Sequence, residues 1–319
     1  TFFSRHGSRS YEQRVYLDLA DFYVDKEQVS EAARTWMALA QRQPAAAQAP
    51  RLVAQAIELY RQAGFQQRVL ETETAFVTDY GLDSNFWANH AREDFPGVLQ
   101  ALNSSLQELA HVAHAQARET GNDSDYRRAE HWYRAWLASF GETPGAAEMN
   151  YQLAELLYES GRYRVAIDEY ERTAWTRGEH PHVEAAALGG LHASEKLLQQ
   201  EMLADRQAVS ARAGSAAERF VIRFPDHPAA AGLLLSSGRT LLQEQRYQSA
   251  LELGERVLTE TPAASAVLRQ AAWSIKAQAQ FALQQYPAAA ASYDEALKLS
   301  GGDDPRREAL QQGLASATY

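Results

Sequence analysis

A ladder of small and aromatic residues that recurs along the chain is the feature that most restricts its fold. The stretch 150–181, NYQLAELLYESGRYRVAIDEYERTAWTRGEHP, is its clearest copy. The ladder there consists of Leu153, Ala154, Leu157, Gly161, Tyr163, Ala166 and Tyr170. Small residues let two helices approach closely, and the proline that follows ends the second helix because it lacks an N–H. Residues 150–181 are therefore predicted to form two antiparallel helices joined by a short turn.

Other stretches keep the same offsets and extend the pattern over the whole chain. The residues that follow the turns are Val29, Phe65, Tyr126, Tyr163, Tyr247 and Tyr286, which are 36, 61, 37, 84 and 39 residues apart. These spacings predict about seven units, at 13–46, 49–81, 106–143, 147–181, 183–228, 231–264 and 270–302. The unit at 52–80 is degenerate, because Arg68 holds its small-residue position. The long interval leaves a divergent insert near 82–105, which could form an extra helix, a divergent unit or an ordered loop.

This ladder resembles the tetratricopeptide repeat (TPR), a helix–turn–helix unit of about 34 residues. The resemblance implies an all-α fold of TPR type, an α-solenoid in which antiparallel helix hairpins stack into a right-handed superhelix. A generic helical bundle is the alternative, but it does not explain why four copies keep five or more markers in register. Ala, Leu, Glu, Gln and Arg dominate the sequence, and all of them favour helices. We therefore expect a single array over residues 1–319.

Charge and composition exclude several classes of function. The chain has 41 Asp and Glu against 31 Lys and Arg, a net charge of −10, so nucleic acid and anionic membranes are not expected partners. It has no cysteine, which excludes disulfides, thiolate nucleophiles and cysteine-bound metals. No run approaches the roughly 18 apolar residues of a membrane-spanning helix.

Both ends of the sequence resemble segments of a helical repeat array. The chain begins at Thr1 with mid-array sequence, so we expect a fragment of a longer TPR protein. Residues 303–319 are predicted to form a further helix, with Asp303 or Asp304 as its N-cap and Pro305 in its first turn. This helix is expected to be either a polar cap of the array or the first helix of an eighth unit.

No sequence motif of a known enzyme class is present, and no cofactor is expected. The histidines are the only plausible metal ligands. His111 and His114 lie three residues apart on one predicted helix and share a face, and His131 belongs to the paired helix. These three residues are a candidate metal site, and surface or interhelical histidines are the simpler interpretation. A metal- or ligand-dependent sensor or hydrolase is thus one alternative function.

In a TPR array the first helix of each hairpin lines a concave groove, so the resemblance assigns a set of lining residues. They are Asp21, Asp25, Tyr151, Glu155, Tyr158, Glu159, Arg239, Leu242, Gln278 and Phe281. An acidic, aromatic groove suits a peptide or a protein helix, and a solvated acidic face is the alternative interpretation. Some TPR domains grip an acidic C-terminal peptide through Lys and Asn. The matching pairs here are Leu17/Asp21, Tyr151/Glu155, Leu235/Arg239 and Ser274/Gln278, so that ligand is not expected.

Residues 220–262 resemble, more loosely, the TPR proteins and lipoproteins of the bacterial cell envelope, including the lipoprotein of the outer-membrane β-barrel assembly machinery. The shared element is an aromatic-Pro-x-x-Pro link, here Phe224 to Pro228. It implies a periplasmic or outer-membrane-associated location, with the cytoplasm as the alternative. We expect a non-enzymatic scaffold that binds a protein or peptide in the groove, with envelope assembly as its setting. A regulatory module that self-associates through the ends of the array is a further alternative.

Overall fold

The computed structural model describes residues 11–200, 205–261, 264–301 and 304–318, which form fifteen α-helices and two short 3₁₀ segments without a strand. The chain divides into two compact units, Thr1–Ser160 and Gly161–Tyr319. The first contains α1 (Glu12–Asp25), α2 (Val29–Arg42), α3 (Ala49–Gln62), α4 (Gln66–Tyr80), α5 (Pro96–Thr120), α6 (Asp123–Phe140) and α7 (Ala146–Glu159). The second contains α8 (Tyr163–Thr176), α9 (Val183–Leu198), α10 (Arg206–Arg223), α11 (Ala230–Gln243), α12 (Tyr247–Glu260), α13 (Ala266–Ala282), α14 (Tyr286–Lys298) and α15 (Arg307–Thr318). Within these described ranges, no helix is both long enough and apolar enough to cross a bilayer.

Within each unit, helices that follow one another in the sequence pack side by side. These contacts run from α1 to α7 in the first unit and from α8 to α15 in the second. In addition, α11 contacts α13, so the first helices of two successive hairpins touch. The small ladder residues are fully buried: Ala20, Ala32, Ala129, Ala154, Ala166, Ala250, Ala277 and Ala289. The fold is the all-α solenoid of TPR type that the ladder predicts.

The turn inside a hairpin fixes the register of its second helix. A residue with positive φ lies two positions before that helix at Glu27, Gly161, Gln245 and Gln284. Gly64, with φ of 77°, takes the same place before α4. This left-handed conformation favours glycine, because other residues place their Cβ against the backbone there. Gln66, not Phe65, therefore holds the marker position, and the sequence spacing places this marker one residue too early.

The shift changes the interpretation of the degenerate unit. Arg68 is exposed and pairs with Glu71, and Val69 is the residue buried at the small-residue position. Seven residues after the marker, four other hairpins carry an aromatic side chain: Trp36, Tyr133, Tyr170 and Tyr293. The same position in this hairpin is Glu73, which is fully buried. A carboxylate thus replaces a ring in the core of the first unit.

Two of these rings pack against a glycine of the following helix. A Cβ built on Gly189 of α9 would lie 2.5 Å from the ring of Tyr170. A Cβ built on Gly313 of α15 would lie 2.5 Å from the ring of Tyr293. Both glycines are therefore needed for close helix packing, because any side chain would overlap the ring.

The insert at 82–105 divides at Pro96. The part before it contains the 3₁₀ segments Asn85–Ala88 and Arg92–Asp94. The rings of Phe86 and His90 stack there with centroids 4.2 Å apart, and Phe95 meets Phe86 edge-on at 5.4 Å. From Pro96 the chain is helical for 25 residues, so the second part of the insert belongs to α5.

The C-terminal helix α15 packs on the end of the second unit. Leu310 is buried in a cluster with Tyr293, and Leu314 packs against the same cluster. Asp304 accepts a hydrogen bond from the backbone N–H of Arg306 at 2.9 Å, and its partner in the capping prediction, Asp303, lies outside the described residues. The helix expected at 303–319 thus spans Arg307–Thr318.

Candidate protein-binding faces

One side of α7 carries acidic and aromatic side chains, which we call the α7 stripe: Glu148, Tyr151, Glu155 and Tyr158. They recur every three or four residues, so they share one face of the helix, and each is partly exposed. The hydroxyl of Tyr151 donates a hydrogen bond to Glu155. Burial, together with the negative charges of Glu155 and Glu148, raises the pKa of Tyr151 to about 12. This tyrosine therefore stays protonated at neutral pH, and its hydroxyl remains a donor.

Glu159, one turn beyond Glu155, is held by side chains of α5. Its carboxylate accepts hydrogen bonds from Arg118 Nε at 2.8 Å and Nη2 at 2.6 Å, and it lies 3.1 Å from His114 Nε2. Burial alone would raise the pKa of Glu159, but the hydrogen bonds from Arg118 and His114 outweigh it and lower the pKa. Its side chain is 26% exposed. The structure therefore places Glu159 in a network of side chains between α5 and α7.

His114 is buried among α5, α6 and α7, and its neighbours assign its tautomer. An ionised carboxylate only accepts hydrogen bonds, so Nε2 carries the proton and donates to Glu159. Nδ1 then accepts from the hydroxyl of Tyr133, 3.0 Å away, and burial raises the pKa of that hydroxyl. Burial also lowers the pKa of His114, and the positive charge of Arg118 adds to this. A neutral histidine thus links three helices.

The three histidines considered as metal ligands do not come together. Both ring nitrogens of His114 are already hydrogen-bonded. His111 and His131 are exposed, and the ring of His131 lies 4.8 Å from that of Trp132 on its own helix. In the part of the chain that the structure describes, no group of three His, Cys, Asp or Glu side chains could hold a metal ion. The metal-site interpretation is wrong, because His131 lies two residues from Tyr133, the residue that faces α5, and so lies on another side of α6.

In the first helix, Asp21 and Asp25 are exposed beside an apolar area. We call this area the α1 surface, and it consists of Tyr11, Val15, Leu19 and Phe22. These side chains are between 40% and 52% exposed and recur every three or four residues. Of the eleven exposed large apolar side chains among the described residues, five lie between positions 11 and 24. Such a concentration of exposed apolar side chains is typical of a surface that another chain covers.

The groove candidates of the second unit have different surroundings. Arg239 on α11 and Gln278 on α13 are exposed, and Leu242 is partly exposed. Phe281 instead packs against the terminal apolar cluster, and its ring lies 5.4 Å from that of Tyr286. Phe281 therefore stabilises the hairpin of α13 and α14, whereas Arg239 and Gln278 remain accessible to a partner.

A buried acidic cluster in the first unit is not apparent from the ladder. Glu73 accepts hydrogen bonds from Arg61 of α3 at 2.7 Å and from Ser105 of α5 at 3.2 Å. Arg61 also donates to Glu108 at 2.8 Å. Burial, followed by the negative charge of Glu108, raises the pKa of Glu73 to about 7. With the marker placed one residue early, the aromatic position falls on Thr72, and the buried carboxylate goes unnoticed.

Comparisons with known proteins agree with this architecture. A tetratricopeptide repeat family profile matches residues 114–180 and 202–266. Both matched segments are similar to tetratricopeptide repeats. None of the curated proteins matches it in sequence.

Solved TPR structures are similar to it at low sequence identity. A tetratricopeptide repeat protein from Parabacteroides merdae is 15% identical, with 98% of this chain and 100% of that chain covered and a TM-score of 0.32. A thermophilic TPR protein from Thermus thermophilus is 19% identical, with 67% and 98% covered and a TM-score of 0.32. The TPR domain of P58(IPK) is 13% identical, with 96% and 97% covered and a TM-score of 0.31. The similarity to tetratricopeptide repeats rests on the two matched segments and the observed hairpins, not on these superpositions.

Stacked helical repeats present extended surfaces on which other proteins bind. TPR proteins are generally non-enzymatic scaffolds. The repeat fold of this chain therefore supports a protein–protein interaction scaffold in general terms.

Proposed function

We propose that this protein is a non-enzymatic scaffold that binds a peptide or protein segment along the first helices of its hairpins. The α7 stripe is the observation that carries the proposal. Its acidic and aromatic side chains are aligned over three turns of one helix and are partly exposed. The carboxylates suit a partner with Lys or Arg, and the tyrosines offer a large contact area with a polar tip.

Charge reversal in the α7 stripe tests this proposal. The test variant combines Glu148→Lys and Glu155→Lys and leaves Glu159 intact, because Glu159 belongs to the His114 network. The control is Asp79→Lys, an exposed reversal on α4, the second helix of its hairpin. Extracts of the source cell are passed over each immobilised protein, and the retained proteins are quantified by mass spectrometry. We expect a partner that the wild type and the control retain to fall about tenfold on the test variant, a loss of about 1.4 kcal/mol. Equal retention on all three proteins would show that the α7 stripe is not the binding face.

For the compartment we propose the bacterial cell envelope, with the cytoplasm as the alternative. The proposal rests on the resemblance of the link between Phe224 and Pro228. This link forms an ordered corner between α10 and α11: the N–H of Ala229 donates to His227 Nδ1 at 3.0 Å, and the ring of Phe220 lies 5.1 Å from that of His227. Running the retention experiment separately with envelope and cytosolic extracts decides between the two compartments, because a specific partner should come from one of them.

Self-association is a second candidate function, and the α1 surface favours it. Two copies that cover this apolar area would remove several large side chains from water. Sedimentation analysis of the wild type is compared with that of Val15→Lys combined with Leu19→Glu. The control is Val267→Lys on α13, which replaces another exposed valine. A dimer that persists in the control and dissociates in the α1 variant supports the function, and a wild type that stays monomeric at every concentration rejects it.

A further inference from the structure

The second unit contains a cleft between α9, α10, α11 and α12, which we call the α9–α12 cleft. Its volume is about 940 Å³. Each of the four helices contributes one side: the lining residues of α10, for example, include Ser210, Gly214 and Ala217, which are spaced by four and three residues. None of the residues that carry the proposed function, those of the α7 stripe, belongs to this cleft.

The cleft exists because α10 presents mainly small side chains to it, with Glu218 as the exception. Ala213, Gly214 and Ala217 line it, and Ser237 of α11 lies among the lining residues of the facing helix. A Cβ built on Gly214 would meet no atom within 4 Å. In contrast, a Cβ built on Gly254 of α12 would lie 3.2 Å from the carbonyl oxygen of Ala272. The helices are thus closely packed on one side of α12 and leave space beside α10.

The lining suits a polypeptide main chain better than a flat organic ligand. Small-molecule sites are lined mainly by apolar and aromatic side chains. Here the described lining residues include no Phe, Tyr or Trp, and hydroxyl and amide side chains occur on all sides, such as Ser210, Ser249, Thr240 and Gln199. An extended chain carries one donor and one acceptor for most residues, and side chains of this kind can bind both.

The charges of the cleft favour a basic partner. Glu195 of α9 and Glu252 of α12 are exposed at its edge, and within the described ranges neither has a cationic side chain at ion-pair distance. Two arginines line the cleft, and both are already engaged. Arg256 Nε donates to Glu260 at 3.0 Å, and Arg246 Nη1 lies 3.8 Å from a carboxylate oxygen of Glu244. Lysine or arginine side chains of a bound segment would therefore find carboxylates open to ion pairing at opposite sides of the cleft.

We propose that the α9–α12 cleft binds an extended peptide segment that carries lysine or arginine. The peptide main chain lies over Gly214 and Ala217, where α10 leaves open space, and the cationic groups reach Glu195 and Glu252. This proposal rests on the function proposed above in one respect, because both assume a peptide ligand. The surface is a different one, in the other compact unit.

The test uses two fluorescein-labelled octapeptides and the full chain. The probe is an alternating Lys-Ala peptide, and the comparison peptide is alternating Glu-Ala. Anisotropy titrations at low salt give a Kd for the wild type and for Gly214→Leu, which fills the cleft at a position with open space. A second variant combines Glu195→Gln with Glu252→Gln, two exposed and nearly isosteric changes that leave the core untouched. Glu308→Gln on α15 is the matched control, an exposed glutamate of the same unit outside the cleft.

The expected result is binding of the Lys-Ala peptide and not of the Glu-Ala peptide. Gly214→Leu should raise the Kd about tenfold or more, the glutamine pair should raise it about three- to tenfold, and Glu308→Gln should leave it unchanged. The charge-reversed α7 variant is titrated with the same probe and should bind like the wild type. A Kd that is insensitive to both cleft variants, or no binding of the Lys-Ala peptide, overturns the cleft assignment. A loss confined to the α7 variant overturns it as well while supporting the proposed function, so the two failures are distinguishable.

Discussion

Glu73 occupies a position at which other hairpins of the array bury an aromatic ring, and this single difference gives the first unit a titratable core. Burying an ionised carboxylate is costly unless hydrogen bonds and opposite charges compensate it. Arg61 and Ser105 supply such bonds to one oxygen, whereas Oε2 is buried without a hydrogen-bond partner among the described residues. Protonation of Glu73 is therefore favoured, which agrees with its pKa of about 7.

We predict that Glu73 makes the stability of the protein fall as the pH rises from about 4.5 to about 7. In that window the unfolded chain has already released the proton, since its ordinary pKa is 4.5, while the folded protein still holds it. The full loss in the free energy of unfolding is about 3 kcal/mol. Above the folded pKa, the contribution of Glu73 to this free energy no longer changes with pH. Glu73→Gln should remove this slope, and Glu71→Gln on the exposed side of the same helix should retain it. Urea denaturation of the three proteins across this pH range measures the effect, and parallel curves for wild type and Glu73→Gln would contradict it.

At the scale of the helix, contact between a ring and a glycine sets how closely one hairpin approaches the next. Tyr170 meets Gly189, and Tyr293 meets Gly313, so the same arrangement occurs twice in the second unit. A glycine inside a helix usually destabilises it relative to alanine, by roughly 1 kcal/mol. Here the close approach of the ring offsets that cost, because it buries a large aromatic surface.

Gly189→Ala should therefore destabilise the protein, by about 1–3 kcal/mol, although alanine is the better helix former. Its Cβ would lie 2.5 Å from the ring of Tyr170, a distance that requires one of the helices to shift. Gly232→Ala on α11 is the matched control: nothing lies within 4 Å of its added Cβ, so it should stabilise by up to about 1 kcal/mol. Chemical denaturation gives both values, and the opposite signs are the test. Stabilisation by Gly189→Ala would mean that the ring can move aside.

The sequence predicts the hairpins well because their contacts are local. Ala154 and Ala166 are small and fully buried, each in its own helix. A ladder of such residues therefore predicts the helices from the sequence. The role of Glu159 could not be predicted in this way, because its partners Arg118 and His114 lie 41 and 45 residues earlier, in another repeat. The α9–α12 cleft is equally hidden in the sequence. Small residues such as Gly214 look like packing positions until the structure shows that no side chain fills the space beside them.

For the whole molecule, the pH dependence of stability starts from buried titratable groups of the first compact unit. Two such groups belong to Thr1–Ser160: Glu73, whose pKa is raised to about 7, and His114, whose pKa is lowered by burial. Their effects on stability have opposite signs. His114 has a pKa below its ordinary value of 6.5, so the unfolded chain takes up the proton first and stability is lost as the pH falls below that value. In a repeat protein such effects stay near the repeat that causes them, because each helix contacts mainly its neighbours.

Hydrogen exchange measured at about pH 5 and about pH 7, and corrected for the intrinsic exchange rate, should show these opposite responses in one chain. With rising pH, α3 and α4 around Glu73 should lose protection, and α6 and α7 around His114 should gain it. One proton changes the opening equilibrium by at most about tenfold per pH unit, which sets the upper limit of each change. Glu73→Gln should abolish only the first response and His114→Gln only the second, while peptides from Gly161–Tyr319 serve as the internal reference. A uniform change over both units would show instead that opening is global, and that the repeats of this protein do not respond to pH independently.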